Sequence, residues 1–267
     1  MSAVIKLSSP ATREFWEIPV LFEDEQLLAL DKPARLLTSS NALDLARPSL
    51  MKLLHVAITA KKPWAAERDL DYLNNANELD ADATGVLLLA KNKPAFIALA
   101  NLFSSEKAQL KYLALVRGEL LEKEFAVDAK LAPHPVKPDM MRVDRDHGKQ
   151  ALTKFTLLEN FSRAGYALLR AELLAERLHQ VRVHASHVDL KIVGDEVYGG
   201  KPLWLSRLKK DYRLKPGREE RPLLGRVALH AEELIVPHPI TGETVTIKCE
   251  MPKDLKVALK FLRLYAN

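Results

Sequence analysis

The chain has 267 residues, 48% hydrophobic and 28% charged, with 10 glycines and 15 prolines, a composition that excludes wholesale disorder. No apolar run approaches the ~18 residues of a membrane helix, Lys6, Arg13, Glu14 and Glu17 interrupt any leader core, and the single Cys249 excludes an intrachain disulfide framework or a cysteine zinc site. The formal charge is +5, yet residues 201–226 alone hold nine basic against three acidic residues, net +6, so the positive field is local and suits a polyanion, although an isolated stretch of this kind also reads as a solvated loop.

In chain order, residues 1–17 read as a short lead-in to a domain over 18–267. Residues 19–31 predict two short strands around the acidic turn Glu23-Asp24-Glu25, and Lys32-Pro33 ends them. Pro48 and Ser49, followed by Leu50, Met51, Leu53 and Leu54, carry helix-start chemistry and a spacing near 3.6. Residues 61–76 are polar and Asn-rich and predict loop. A buried strand over 85–91 precedes a helix over 94–107 with Phe96, Leu99, Ala100 and Phe103 on one face. Residues 111–117 alternate as a strand ended by Gly118. Pro133, Pro135, Pro138 and Gly148 make 131–150 a long loop.

Strands over 151–159 and 167–174 follow, then a helix over 180–187 and the glycines 194, 199 and 200. The basic segment 201–226 reads as an insertion with poor periodicity. Residues 229–236 and 244–249 form a hairpin across 237–242, and an amphipathic helix over 254–264 ends the chain. No repeat is visible and no Pro/Ser/Gly linker cuts the chain. Many strands with few helices predict a single α+β domain on a mixed sheet.

No glycine-rich phosphate loop is present, and no nucleotide cofactor is expected. His179, His184 and His187 lie five and three apart, without an i, i+4 pair or an acidic zinc motif, so no metal is expected. There is no GxSxG, and Cys249 falls in the terminal hairpin. What remains is three segments: NELDADATGVLLLAK at 77–91, KYLALVRG at 111–118 and RLHQVRVH at 177–184. In order, they resemble the HRLDxxTSGLLLLAK, KxYxALVxG and GRxHQIRxH motifs of the RluA-type RNA pseudouridine synthases. LALDKP at 28–33, GKQALTKF at 148–155, IVGDEVYG at 192–199 and the LHA and HPITGE runs at 229–231 and 238–243 extend the resemblance over most of the chain.

The resemblance implies a catalytic domain with a central mixed, mostly antiparallel sheet flanked by helices, and a cleft across it. It implies an isomerase that breaks the N1–C1′ bond of a uridine in RNA, turns the base and rejoins it through C5, without cofactor. It implies Asp80 as the nucleophilic carboxylate, Arg182 as the arginine that pairs with it, and Tyr112 as the aromatic that packs on the flipped uracil and moves the C5 proton. A paired guanidinium keeps such a carboxylate ionised in a dry pocket.

The chain departs from the pattern at Asn77-Glu78 for His-Arg, Ala83-Thr84 for Thr-Ser, Arg35 for a glycine, and Glu176 for the glycine before the third motif. An alternative that these departures motivate is an RNA-binding protein on the same fold whose catalysis is lost or altered. The pattern starts near residue 18, without room for the amino-terminal S4 domain of many relatives. Target recognition is then expected from the catalytic domain, with Lys32, Arg35, Lys91, Arg177, Lys209, Lys210 and Arg213 as RNA contacts. The expected partner is ribosomal or transfer RNA, and the expected form a cytoplasmic monomer without metal or membrane association.

Overall fold

The computed structural model describes residues 3–40, 47–118, 120, 122–214 and 217–266, so Lys215 and Pro216 of the basic segment, and residues 1 and 2 of the expected lead-in, lie outside the described residues. The strands in chain order are β1 (Val4–Ser9), β2 (Glu14–Glu23), β3 (Leu27–Lys32), β4 (Asn74–Asn75), β5 (Thr84–Ala90), β6 (Gln109–Arg117), β7 (Glu124–Asp128), β8 (Leu131–Pro133), β9 (Met141–Val143), β10 (Leu152–Phe161), β11 (Tyr166–Leu173), β12 (Lys191–Ile192), β13 (Leu229–Pro237) and β14 (Thr244–Lys248). The helices are α1 (Leu50–Thr59), α2 (Pro63–Ala66), α3 (Lys93–Ser104), α4 (Gln180–His187), α5 (Leu205–Leu208) and α6 (Lys253–Tyr265). The chain is α+β, as its pattern predicts, and gathers into two compact units, 1–110 with 231–250 and 111–230 with 251–267. Among the described residues no helix is long and apolar enough to cross a membrane.

In the first unit the sheet order runs β1-β2-β3-β5-β13, with β4 on β5 and β14 on β13. Residues 4–9 and 14–17 are not a lead-in. β1 pairs with β2 from Val4↔Pro19 to Ser9↔Glu14, and Ile5 and Leu7 are buried in the core beside Ile18, Leu54 and Trp64. The cause is a period-two pattern, Ile5 and Leu7 inward and Lys6 and Ser8 outward, too short and too charged to stand out by composition.

β3 over its first four residues and β5 from Val86 on are continuous apolar runs buried on both faces, which is how strands covered on two sides read. Helix α1 starts where Ser49 accepts the Lys52 amide, and Leu50, Leu54 and Ala57 form its buried face. Helix α3 starts where the Asn92 side chain accepts the Ala95 amide at 2.9 Å, with a proline in the first turn. The stretch 61–76, expected as loop, contains α2, which buries Trp64.

In the second unit β6, β11, β10 and β7 are neighbours, with β12 on β6. The expected loop 131–150 holds the β8–β9 hairpin, Leu131↔Val143 to Pro133↔Met141, and its Leu131 and Met141 pack with Ala151, Val183 and Tyr198. The prolines that predicted loop sit at the hairpin's end and in its turn, where no ladder donor is needed. Helix α6 buries Leu255, Ala258, Leu259 and Leu262 on one face. Arg226 leaves the basic segment's solvent field. It is 5% exposed, and its Nε and Nη2 donate to Asp254 at 2.7 and 2.9 Å, so it fixes the start of α6.

Candidate active site

The first unit builds the loop that carries Asp80. β3 and β5 run antiparallel with Lys32 opposite Gly85, so the residues just before β5 must pass the end of the Lys32 side chain. Gly85 is obligatory there: its φ is +115°, and a Cβ would lie 2.2 Å from the Ala231 carbonyl oxygen. Lys32 is fully buried. Its ammonium donates to the carbonyls of Pro33 (3.0 Å), Asp80 (3.1 Å), Ala81 (3.2 Å) and Ala83 (3.0 Å). The Ala83 amide also donates to the Asp80 carbonyl, closing the turn. On the other side of Asp80, the Thr38 hydroxyl donates to the Leu79 carbonyl at 2.8 Å and accepts the Leu79 amide. The backbone is thus held before and after Asp80, whose side chain is half-buried.

The two residues that replace the family's His-Arg are also anchored. Asn77 is 4% exposed and binds β5 with both ends of its amide, donating to Val86 O and accepting from Leu88 N. The Glu78 carboxylate accepts the amide and hydroxyl of Ser39 (3.1 and 2.9 Å) and the amide of Asn75 (2.9 Å). Desolvation pushes its pKa above the ordinary glutamate value in spite of these donors. Arg35 is exposed and left-handed, with φ 64°. That conformation explains the glycine of the resemblance and burdens an L-residue with roughly 1–2 kcal/mol.

Two of the expected RNA contacts are therefore structural. Lys32 spends its ammonium inside the protein on backbone carbonyls. Lys91 donates to Glu23 Oε1 at 3.2 Å and to the Asp24 carbonyl at 2.8 Å, and Glu23 is shared with the buried Arg68. A lysine in a motif has the same letter in either role, and only its burial separates them.

The second unit positions Tyr112 and Arg182. Tyr112 lies on β6, 3% exposed, and its hydroxyl donates to Glu176 Oε1 at 2.5 Å. Arg182 lies on α4, and its Nε and Nη2 donate to the two oxygens of Asp195 at 2.7 and 2.8 Å. Asp195 is 1% exposed, so this is a buried, two-point pair of fixed geometry. The Arg182 guanidinium also lies 5.0 Å over the Tyr198 ring. The Tyr198 hydroxyl accepts the Met141 amide at 2.9 Å and shares a 2.9 Å hydrogen bond with His179 Nδ1. His184 is buried between the Thr153 hydroxyl on Nδ1 and the Ala129 carbonyl on Nε2, and burial holds its pKa below the usual histidine value. Arg177 has a buried Nε with no hydrogen-bond partner among the described residues, while its Nη1 donates to the Glu176 carbonyl.

Of the basic segment, Lys210 and Arg213 are exposed, and Lys209 is half-buried with its ammonium 5.8 Å from the Tyr265 ring centroid. Asp195 and Tyr198 lie inside the 192–199 run, where the sequence alone assigns them no role. Their signal was an acid and an aromatic at the turn that follows the arginine helix. Thr38 carried no such signal, and Glu176 stood out only as a departure from the third motif.

Each unit thus presents groups suited to acid–base or nucleophilic chemistry: a half-buried carboxylate on an immobilised loop in the first, and in the second a phenol bonded to one carboxylate and a guanidinium fixed by another. The sequence model of a family described as RNA pseudouridylate synthase matches residues 26–187, a span that includes Asp80, Tyr112 and Arg182. The chain is 31% identical to a ribosomal large subunit pseudouridine synthase D of Xanthomonas campestris, over 98% of this chain and 75% of that protein. It is 32% identical to the protein of the same name from Zymomonas mobilis, over 97% of this chain and 78% of that one. The solved structure of human RNA pseudouridylate synthase domain containing 4 is similar in fold, with TM-score 0.66 at 22% identity over 91% of this chain and 92% of that one.

The lysine anchor is tested by Lys32→Met, which keeps the stem and removes the donor from four carbonyls. Stability should fall by about 2–4 kcal/mol, since a buried acceptor left unmade costs ~1–3 kcal/mol. In a chain of this size that is a melting temperature lower by roughly 5–10 °C. An unchanged melting temperature with a shallower salt dependence of RNA binding would return Lys32 to the phosphate-contact role.

Proposed function

The chain belongs to the RNA pseudouridylate synthase family, isomerases that turn uridine in RNA into pseudouridine, and on that premise we propose that it acts on a uridine of large-subunit ribosomal RNA with Asp80 as its nucleophile. The observation that carries this reading is the family match over 26–187, which spans Asp80, Tyr112 and Arg182 in the order of the three motifs. Ribosomal RNA is favoured over transfer RNA because the relatives described above are named for the large ribosomal subunit. The working form is a cytoplasmic monomer that needs no metal or cofactor.

In this reading the N1–C1′ bond of the uridine breaks, the base turns, and C5 bonds to C1′, with no net gain or loss of electrons. The Asp80 carboxylate bonds to the sugar or the ring as the N1–C1′ bond breaks, and this new bond breaks in turn when C5 is joined to C1′, which frees the carboxylate. Arg182, held by Asp195, is assigned as the cation of this reading. Tyr112 packs on the uracil and takes the C5 proton. The immobilised backbone around Asp80 supports the assignment, because a nucleophile already in place forfeits little freedom on the way to the transition state.

A paired base has to be extruded at a cost of a few kcal/mol. The family's arginine before Leu-Asp assists in that step, and this chain has Glu78, whose carboxylate is turned onto Ser39 and Asn75. We therefore assign the chain a target uridine that is already unpaired. RNA capture falls to Arg35, Arg177 and the segment with Lys209, Lys210 and Arg213. The buried, unpartnered Nε of Arg177 supports its place in that set.

Asp80→Asn should abolish pseudouridine formation on large-subunit ribosomal RNA while leaving fold and RNA affinity in place. Wild-type turnover in that variant would remove the nucleophile assignment, and RNA binding by the native protein with no pseudouridine formed would favour the lost-catalysis alternative. Replacing Lys209, Lys210 and Arg213 together by Ser should weaken binding and flatten the slope of log K against log salt by about two, since each phosphate contact contributes roughly 0.7–0.9. Turnover at saturating RNA should stay the same. An unchanged slope would make the segment an ordinary solvated surface.

A further inference from the structure

Glu176 stands where the resemblance has a glycine, and a glycine has no side chain to offer. Here the position carries a carboxylate, and its Oε1 accepts the hydroxyl of Tyr112 at 2.5 Å. The two residues are 64 apart in sequence, and both belong to the second unit. Tyr112 is 3% exposed, which keeps bulk water from serving as the hydroxyl's main partner. A phenol donating to a carboxylate makes a charge-assisted bond, about twice as strong as a neutral one.

Glu176 does not hang on a loose chain. The Arg177 amide donates to Gln180 Oε1 at 3.0 Å, and the Gln180 amide group donates to the Leu152 carbonyl at 3.0 Å. The Arg177 Nη1 donates to the carbonyl of Glu176 itself. The backbone next to Glu176 is therefore tied to the strand β10 and to the start of α4. A surface glutamate that met a tyrosine by chance would not need that support.

We propose that Glu176 is a positioning residue for the isomerisation: it orients the Tyr112 phenol and receives its proton when that phenol takes the proton from C5. The inference rests on the proposed function and deepens it. Once C5 is bonded to C1′, the C5–H bond breaks and its electron pair returns to the uracil ring. The C5 proton passes to the phenol oxygen of Tyr112, and the phenol's own proton passes to Glu176 Oε1. Tyr112 ends unchanged. The proton on Glu176 then goes through water to N1, the ring nitrogen freed from the sugar, so the atoms balance and no co-reactant is required. The carboxylate has a specific use in this step. A neutral phenol is a weak base by itself, and one that can hand its proton on at the same moment is a stronger one.

The test uses large-subunit ribosomal RNA transcribed with uridine tritiated at C5, from which pseudouridine formation releases tritium. Glu176→Gln keeps the shape and a hydrogen-bond acceptor but cannot take the proton. Glu176→Gly restores the residue of the resemblance and guards against a misfolded glutamine variant. Both should lower the single-turnover rate by roughly 100-fold, in the range of a lost general acid–base contribution, with RNA affinity unchanged. In both, deuterium at C5 should slow the reaction more than it slows the wild type, because proton removal becomes limiting. Adding Glu176→Gln to Tyr112→Phe should bring no further loss, since the two act in one step. Wild-type rates and isotope effects in both variants overturn the inference and leave the isomerase reading standing. A loss of affinity without a change in rate overturns it as well. A wild-type protein that releases no tritium overturns the isomerase reading and this inference with it.

Discussion

The Asp80 loop depends on one buried ammonium. Lys32 is fully inside the protein, and its charge is offset by four carbonyl dipoles in place of a hydration shell. Taking an ammonium out of water costs several kcal/mol even in real proteins, so the arrangement survives only because every donor position has an acceptor. Three of the four carbonyls belong to residues 80–83. The same atoms that solvate the charge therefore fix the path of the chain around Asp80. The register of β3 against β5 makes this possible, and the glycine at 85 lets the chain enter β5 against Ala231.

The second unit uses a different device for its buried cation. Arg182 is held by a planar two-point pair with Asp195 and by the face of Tyr198, and Tyr198 is held in turn by His179 and Met141. Each support is itself buried or bonded, so the guanidinium has few ways to move. A residue whose rotamer is fixed by its supports keeps catalytic geometry to a fraction of an ångström. His179, one of three histidines whose spacing in the sequence speaks against a metal set, bonds Tyr198 through Nδ1. His184 is spent on Thr153 and Ala129, and its suppressed pKa follows from that burial.

Much of this was legible in the sequence, and the exceptions have causes. β3, β5 and β6 announce themselves as apolar runs, α1 by its Pro-Ser start and spacing, α3 by spacing, and the β13–β14 hairpin by its Pro-His-Pro and Thr-Gly turn. β1 was missed because a six-residue edge strand with Lys6 outward resembles a polar tail. The β8–β9 hairpin was missed because its prolines, harmless at strand ends, are loop signals in any local reading. Asp80, Tyr112 and Arg182 were singled out by motif order. Their supports were not, because Lys32–Asp80, Tyr112–Glu176 and Arg226–Asp254 are contacts across 48, 64 and 28 residues. A cation's partner is a property of the fold. That is why Lys32 and Lys91 read as phosphate contacts and are struts.

The central claim is that this chain converts one uridine of large-subunit ribosomal RNA to pseudouridine. The direct measurement is a pseudouridine map of that RNA from cells with and without the gene. The account predicts that a single site, in an unpaired stretch, loses its pseudouridine in the deletion and regains it when the gene is returned. A map that is identical in the two cell populations would contradict it.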